Sequence, residues 1–490
     1  MSTEQDLLRK ICDDPTDIET RLVYADCLSE RGDPRGEFIA HHCQLERMTG
    51  REDNYAELAA TTRRLEAAHA PTWLADFLGR ADVKSTAFGR TKLDALFNAE
   101  FRHGFLHRIA MTPADIAAHW DWLREREPIQ GVELRVSEHL PAEHHELTQP
   151  GAFRTLKVTP DGWFTDHSVG DVLRWGLGHL RELDLSTCDV GLAGVQMLTN
   201  VETDLHQHFE GWTPPPPLPE GQLERLVLHA TRLHDEPARL LFDAATTRAL
   251  VELVISQCQL TERATLEALA ASPLDRLRQL SIAGNNALGG QLDALAGWPV
   301  LGQLERLAVP QSATPGDLEA LFPEPSAALR ALDLSSAKAV CARPQTVPAA
   351  AVALTRLDIG TSRIGDVHWA TLLKEPSVAG LHELMANGCS LSDRAVEVLV
   401  ASRLDRLLAL DLSSNKLTDG GLRALAGWPG LKHVTFLRIG NNRKVKAPGY
   451  RALIDSPHLS PTALDVGKAV DDQTAAALRE RFGDALQARR

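Results

Sequence analysis

Side chains able to do chemistry crowd into one stretch near the N-terminus, RLVYADCLSERGDPRGEFIAHHCQ, which spans residues 21–44. It carries several carboxylates, two cysteines and the adjacent pair His41 and His42. Imidazole and carboxylate groups act as general acids and bases, and together with thiolates they are the usual ligands of Zn²⁺. Glu37 and His41 are also one helical turn apart, with Cys43 close by. The stretch raises three hypotheses: a reactive centre, a metal site, or residues that only cap helices and fix turns.

The rest of the sequence offers no motif that supports catalysis. It lacks G-x-S-x-G, G-x-x-x-x-G-K-[ST], G-x-G-x-x-G and H-E-x-x-H. A second histidine cluster, EHLPAEHHEL in the segment 139–145, could hold Zn²⁺, but Pro141 breaks its helical spacing. We interpret that cluster as a connector. We therefore expect no catalytic residue, no metal and no cofactor.

Composition narrows the class of protein and of partner. The formal charge of −14 and the lack of a sustained basic stripe argue against nucleic acid as a partner. The N-terminus has no apolar signal region, and no apolar run is long enough to span a membrane. The seven cysteines are spread along the chain without a C-x-x-C pair, which is typical of free thiols. We expect a cytoplasmic protein, a monomer without membrane contact.

An internal repeat fills most of the chain. The pattern L-x-x-L-x-L begins at residues 180, 223, 250, 277, 304, 329, 354, 381, 407 and 434, with weaker copies at 106, 131, 153 and 461. Most starts are 25 to 27 residues apart, a period typical of repeat proteins. The longer gap after residue 180 contains an insertion near 199–222 with a proline-rich segment, 213–219. That segment could be a docking site for an aromatic groove, but a stiff loop is the simpler interpretation.

This periodicity resembles the leucine-rich repeat family in its α-containing, ribonuclease-inhibitor-like form. The family places Asn or Cys three residues after the last strand leucine, as at Cys258, Asn285, Cys389, Asn415 and Asn442. Between strands, segments such as LSDRAVEVLVASRL show a Ser/Thr cap followed by helical spacing of apolar residues. The resemblance implies an α/β fold: a curved solenoid of about fourteen units, with parallel strands on the concave face and helices on the convex face.

The concave face is the expected binding surface. Residues between the strand leucines point outward by two-residue alternation. They form a small apolar stretch followed by an acid-rich half, which would suit a protein partner with basic and apolar elements. Aspartate is also common at this position in the family, so the acidic column could serve only to solvate the strands. The candidate partner-binding residues are Arg225, Val227, Val254, Arg306, Asp333, Arg356, Asp358, Glu383, Asp411, Phe436, Arg438 and Asp465.

The N-terminal region resembles a bacterial repeat-companion domain. The matching residues are RLVYAD (21–26), ERGDPRGEFI (30–39) and CQLER (43–47). Cys27 and the His41–His42 pair depart from that pattern, which argues against a shared metal site. The sequence predicts a small all-α module in which acidic turn residues such as Asp33 cap helices. Helices of residues 54–78 are expected to cover the apolar end of the first repeat.

These observations predict four regions: a helical module (1–50), a helical connector (51–105), the repeat solenoid (106–467) and a capping helix (468–490). The preferred function is a non-catalytic scaffold that binds a protein on the concave face. The alternative is a regulatory or catalytic subunit whose N-terminal module acts on a partner recruited by the solenoid. A third hypothesis is that the module itself docks to a like module.

Overall fold

The structure is a computed structural model that describes residues 2–50, 52–75, 77, 99–136, 153–160, 165–173, 177–199, 218–343, 345–467 and 471–486. The histidine-rich segment 139–145 and residues 213–217 of the proline-rich segment lie outside the described residues. The chain forms two compact units, each built from two segments. Unit 1 comprises Met1–Arg47 and Ala68–Asn285, and unit 2 comprises Met48–Ala67 and Asn286–Arg490.

Strands form at every predicted copy of the leucine pattern. In unit 1 they are β1 (Glu100–Arg102), β2 (Phe105–Met111), β3 (Gly131–Val136), β4 (Thr155–Pro160), β5 (Glu182–Asp184), β6 (Arg225–Val227), β7 (Glu252–Val254) and β8 (Gln279–Ser281). In unit 2 they are β9 (Arg306–Ala308), β10 (Ala331–Asp333), β11 (Arg356–Asp358), β12 (Glu383–Met385), β13 (Ala409–Asp411), β14 (Phe436–Arg438) and β15 (Ala463–Asp465).

The fourteen predicted strands are β2–β15, and within each unit they pair in parallel with the strand leucines in register. The α/β leucine-rich repeat architecture is therefore confirmed. The strand β1 is an addition that the repeat pattern does not predict, and it pairs antiparallel with β2.

Helices occupy the segments between strands. The N-terminal helices are α1 (Ser2–Asp13), α2 (Ile18–Glu30), α3 (Pro34–Glu46) and α4 (Tyr55–Trp73). Those of the unit 1 repeats are α5 (Pro113–Arg124), α6 (Asp166–Leu173), α7 (Leu192–Thr199), α8 (Asp235–Asp243) and α9 (Arg263–Ala271). In unit 2 they are α10 (Pro315–Leu321), α11 (Lys338–Cys341), α12 (Thr346–Ala350), α13 (Gly365–Leu372), α14 (Asp393–Val400), α15 (Asp419–Ala426), α16 (Ala447–Ile454) and α17 (Asp472–Phe482).

The Asn/Cys position after each strand satisfies buried backbone groups, as the resemblance implies. The Asn442 side chain accepts from the backbone N–H groups of Asn415 and Leu417 at 3.1 and 3.2 Å. It donates to the carbonyls of Leu412 and Ile439 at 3.0 and 2.7 Å. One amide thus bonds backbone groups of two successive repeats that would otherwise be buried without partners.

A second ladder of side-chain hydrogen bonds ties the helix starts together. Asp393, the first residue of α14, accepts from the Thr418 backbone N–H at 2.8 Å and from the Thr418 hydroxyl. Asp235 receives the hydroxyl and N–H of Thr261 in the same way. For α9 this corrects the sequence expectation, because Thr261 is held by Asp235 and the N-cap is Glu262, which makes no side-chain cap bond. Acidic residues at these helix starts therefore connect successive repeats, and they also stabilise the helix N-termini.

The N-terminal helices α1–α3 pack on the first strands of unit 1. Ile11, Tyr24 and Ile39 form a buried cluster with Phe105 at the start of β2. Arg35 donates to both oxygens of Glu127 at 2.7 and 2.6 Å, and Glu127 also accepts from the Leu106 backbone N–H. These helices are therefore fixed to the start of β2 and to Glu127 by both apolar and charged contacts.

Candidate protein-binding surfaces

We call the side of each sheet that carries the residues between the buried leucines the strand face. The unit 1 candidates on this face are engaged with their own neighbours. Arg225 on β6 and Glu252 on β7 are register partners, and their Nε and Oε2 atoms are 2.9 Å apart. Val227 is buried and Val254 is half-buried. Opposite charges on adjacent strands stabilise the sheet, so this stretch has a structural role of its own.

The predicted acidic column fixes the turns that leave the strands. Each of its aspartates accepts, through Oδ1, the backbone N–H of the residue two positions later, at 2.8 to 2.9 Å. The pairs are Asp184–Ser186, Asp333–Ser335, Asp358–Gly360, Asp411–Ser413 and Asp465–Gly467. Aspartate forms such turns readily because its short side chain reaches its own backbone. The column thus has a structural cause that does not require a ligand.

At the C-terminal end of unit 2 the candidate charges neutralise one another. Arg438 lies between two aspartates, with Nη1 3.4 Å from Asp411 Oδ2 and Nε 3.3 Å from Asp465 Oδ2. Asp411 and Asp465 are buried, while Phe436 and Arg438 are half-buried. These residues come together as predicted, but their charges are paired within the sheet.

Asp358 on β11 is the one strand-face aspartate with a strongly shifted pKa among the residues described. Burial raises the pKa of its carboxyl to about 6, and the neighbouring charge of Asp333 acts in the same direction. Asp333 and Asp358 are register partners on β10 and β11. Two carboxylates side by side on a half-buried sheet surface disfavour full ionisation.

Residues 48–67, which we call the cover segment, contact the strand starts of unit 2. The Tyr55 ring stacks on His382, immediately before β12, with centroids 4.8 Å apart. Arg63 donates to Thr435 Oγ1 at 3.1 Å and lies 3.6 Å from Glu383 Oε1. Asp53 pairs with Arg406. This part of α4, expected at the first repeat, therefore contacts strand starts of unit 2.

The contact continues to the last repeat and buries apolar surface. Arg64 donates to the Lys432 carbonyl at 2.6 Å and to the Ser460 carbonyl at 3.3 Å. Ala56, Ala59 and Ala60 form the buried side of the cover segment. Alanine has no side-chain entropy to lose and allows a helix to approach a sheet closely. The cover segment is therefore an integral part of unit 2 packing.

The strand face at β9–β11 remains open. Arg306 and Arg356 are exposed, and both are register partners of Ala331 on the strand between them. Arg356 Nη1 lies 2.9 Å from Glu383 Oε2, yet 44% of its side chain reaches solvent. Two arginines with a small residue between them present a cationic row at this place.

The leucine-rich repeat family model matches residues 179–198 in unit 1 and residues 407–426 in unit 2. Both units contain leucine-rich repeats. No curated protein matches the sequence. The matched segments include β5 with most of α7 and β13 with α15.

Solved structures with similar folds were also found. They include the Rad7–Elc1 complex of yeast (16% identity, 89% of this chain and 94% of that chain, TM-score 0.44). An internalin of Listeria monocytogenes matches with 15% identity, 82% and 95% coverage and a TM-score of 0.31. The leucine-rich repeat-containing protein LegL7 of Legionella pneumophila matches with 15% identity, 68% and 98% coverage and a TM-score of 0.38.

The N-terminal stretch that suggested chemistry has a largely structural explanation. Asp33 caps α3 by accepting the Arg35 backbone N–H at 2.9 Å. The Arg35 side chain pairs with Glu127, 92 positions away in the sequence. His41 Nε2 lies 3.6 Å from Glu37 Oε1, the predicted one-turn pair. These contacts fix helices and turns.

Burial disfavours the charged forms of two cysteines and one histidine in this region. Burial raises the pKa of the Cys12 thiol to about 12 and also raises the pKa of Cys43. Burial lowers the pKa of His42 to about 4, and His41 adds to that effect. Within the described residues, no group of His, Cys, Asp and Glu side chains has the geometry of a metal site. In the same part of the chain no helix could span a bilayer.

The sequence did not predict the cover segment. Its only signal is the spacing of Ala56, Ala59 and Ala60, which indicates a small buried helix face but not its target. The contacts join residues hundreds of positions apart, such as Arg63 and Thr435. Pairings of that range leave no local trace in a single sequence.

Proposed function

We propose that the protein is a non-catalytic scaffold that binds a protein partner on the strand face of unit 2, at β9–β11. The observation that carries this proposal is the exposed cationic row of Arg306 and Arg356. Arginine is enriched in protein interfaces because its flat guanidinium forms several directed hydrogen bonds. Ala331 between them leaves space for a partner side chain.

The neighbouring stretches of the same strand face suit a partner less well. At β12–β15 the cover segment and the Asp411–Arg438–Asp465 pairs already use the available charges. In β9–β11 the acidic pair Asp333 and Asp358 lies beside the arginines, so the surface offers both signs of charge. Mixed charge of this kind favours a specific orientation of a polar partner.

The test is capture of partners from native cell extract by the tagged full-length protein, followed by mass spectrometry. We expect the double variant Arg306→Glu/Arg356→Glu to lose about tenfold or more in affinity for the partner, because each reversed charge repels what the arginine attracted. The matched control is Arg394→Glu/Arg423→Glu, which makes the same charge change at exposed positions of α14 and α15. Equal capture by the strand-face variant and the control would contradict the proposal.

A further inference from the structure

An open cleft of about 730 Å³ lies where strands β9–β12 of unit 2 end. Its lining includes Gln311, Ser312, Ser336, Lys338, Thr361 and Arg363. These residues follow the strands in successive repeats of unit 2, so the cleft runs across several repeats. Its long open form suits an extended chain better than a compact small molecule.

The charge of the cleft is opposite to that of the protein. Lys338 and Arg363 are both exposed, and no acidic residue is among the lining residues. The whole chain has a formal charge of −14. Most helices of unit 2 begin with an acidic first turn, but α11 begins with Lys338 and has no acidic residue there. The local sequence thus concentrates positive charge in a place where the fold elsewhere puts aspartate.

A second observation concerns an acceptor. Gln311 Oε1 is buried and has no hydrogen-bond partner among the described residues. A buried amide oxygen without a donor is unfavourable, so a ligand that supplies an N–H would be favoured. The hydroxyls of Ser336 and Thr361 already bond to each other. A ligand for this cleft therefore needs negative charge and also at least one N–H donor.

We propose that this cleft binds an acidic peptide segment of the protein partner, with carboxylates at Lys338 and Arg363 and a backbone N–H donating to Gln311. The proposal rests on the scaffold function above and specifies the chemistry of the partner. Anions such as chloride and sulfate satisfy the charge but have no donor, whereas a peptide has a backbone N–H at almost every residue. Two of the strands that end at this cleft, β9 and β11, begin with the exposed Arg306 and Arg356.

The experiment measures binding of a short fluorescein-labelled Glu-Gly repeat peptide to the full-length protein by fluorescence anisotropy at low ionic strength. We expect saturable binding that weakens as salt is added, because exposed charges are screened. The double variant Lys338→Glu/Arg363→Glu should bind about tenfold more weakly or not at all. Gln311→Leu, which changes no charge, should weaken binding about threefold or more.

The matched control is Arg443→Glu/Lys444→Glu, an equal charge change at exposed positions on the turn after β14. It should bind the peptide as the unchanged protein does, and circular dichroism melts verify that each variant is folded. No saturable binding by the unchanged protein, or an equal loss in the control, would overturn the proposal. So would complete displacement of the peptide by an equal concentration of inorganic phosphate. If the peptide does not bind but partner capture still depends on Arg306 and Arg356, the proposal for the cleft is wrong. The proposed scaffold function is then unaffected.

Discussion

The strand starts of unit 1 and unit 2 occupy equivalent positions in the repeat but have different surroundings. Val251 and Arg278, before β7 and β8, are half-buried and exposed. Leu408 and Thr435, before β13 and β14, are 2% and 0% exposed. The cover segment makes the difference, since Arg63 bonds Thr435. Equal repeats can thus form an open or a covered surface, depending on a segment far away in the sequence.

The contrast extends within unit 2, from the covered starts of β12–β15 to the open β9–β11. His382, which stacks against Tyr55, is 6% exposed, and burial lowers its pKa to about 4. The positive charges of Arg406 and Arg63 also lower this pKa, whereas the negative charge of Glu383 raises it. On the open stretch the pKa of Asp358 is raised instead. The covered and open stretches should therefore respond to pH in opposite directions.

The largest expected effect is loss of the cover. Ala60→Arg places a long charged side chain at a fully buried position of α4 and should lower the free energy of unfolding by about 3 kcal/mol or more. The matched control, Ala67→Arg, makes the same change at an exposed position of the same helix and should cost about 0.5 kcal/mol at most. Urea titration followed by circular dichroism gives both values. Similar costs at the two positions would show that the cover segment is not packed on unit 2.

The second effect is acid sensitivity of the covered stretch. Since the pKa of His382 is lowered in the folded state, the unfolded chain binds the proton first, and stability falls as the pH drops from about 6.5 toward 4. The loss should be about 2 kcal/mol, discounted for partial solvent screening. His382→Gln should remove this part of the pH dependence, as measured by thermal melts at several pH values. An unchanged pH profile would contradict the burial of His382.

The third effect has the opposite sign. The raised pKa of Asp358 means that the folded state holds the proton more tightly, so this carboxyl adds stability as pH falls through 6. Asp358→Asn keeps an acceptor for the Gly360 N–H and removes the charge. We expect it to raise the free energy of unfolding by about 1 kcal/mol at neutral pH and to have little effect near pH 4. Destabilisation at neutral pH would show that the charge itself is needed.

The smallest effect concerns the half-exposed charges of the cover segment. Arg63→Met keeps most of the apolar stem but removes the contacts with Thr435 and Glu383, and should cost about 0.5–1 kcal/mol. High salt should reduce the difference from the unchanged protein. A cost as large as that of Ala60→Arg would mean that polar contacts, rather than buried alanines, hold the cover.

Much of the fold follows from local sequence. The segment LRALDL at residue 329 forms β10, as its pattern predicts. Asn442 bonds the carbonyl and N–H groups that its position in the repeat predicts. Both were predictable because the contacts lie within one repeat or between adjacent repeats. The candidate site was harder to predict. The aspartates looked like a binding column, yet their Oδ1 atoms hold the turns, and LDLS alone does not distinguish the two roles.

Two sets of contacts could not be predicted from the sequence. The cover segment depends on contacts across the whole length of the chain, and an alanine-rich helix shows only that one face is buried. The pairing of Arg35 with Glu127 likewise joins residues 92 positions apart. A long side chain pairs with whichever group lies near it in the folded protein, and that proximity cannot be inferred from the order of residues in the sequence.

The most direct test of the central claim compares solvent access at the two kinds of strand start. Thr435→Cys and Arg278→Cys place thiols at equivalent repeat positions, and maleimide labelling with peptide mapping separates them from the native cysteines. The account predicts rapid labelling at position 278 and protection at 435, with protection lost when Ala60→Arg is added. Equal labelling at the two positions in the folded protein would contradict it.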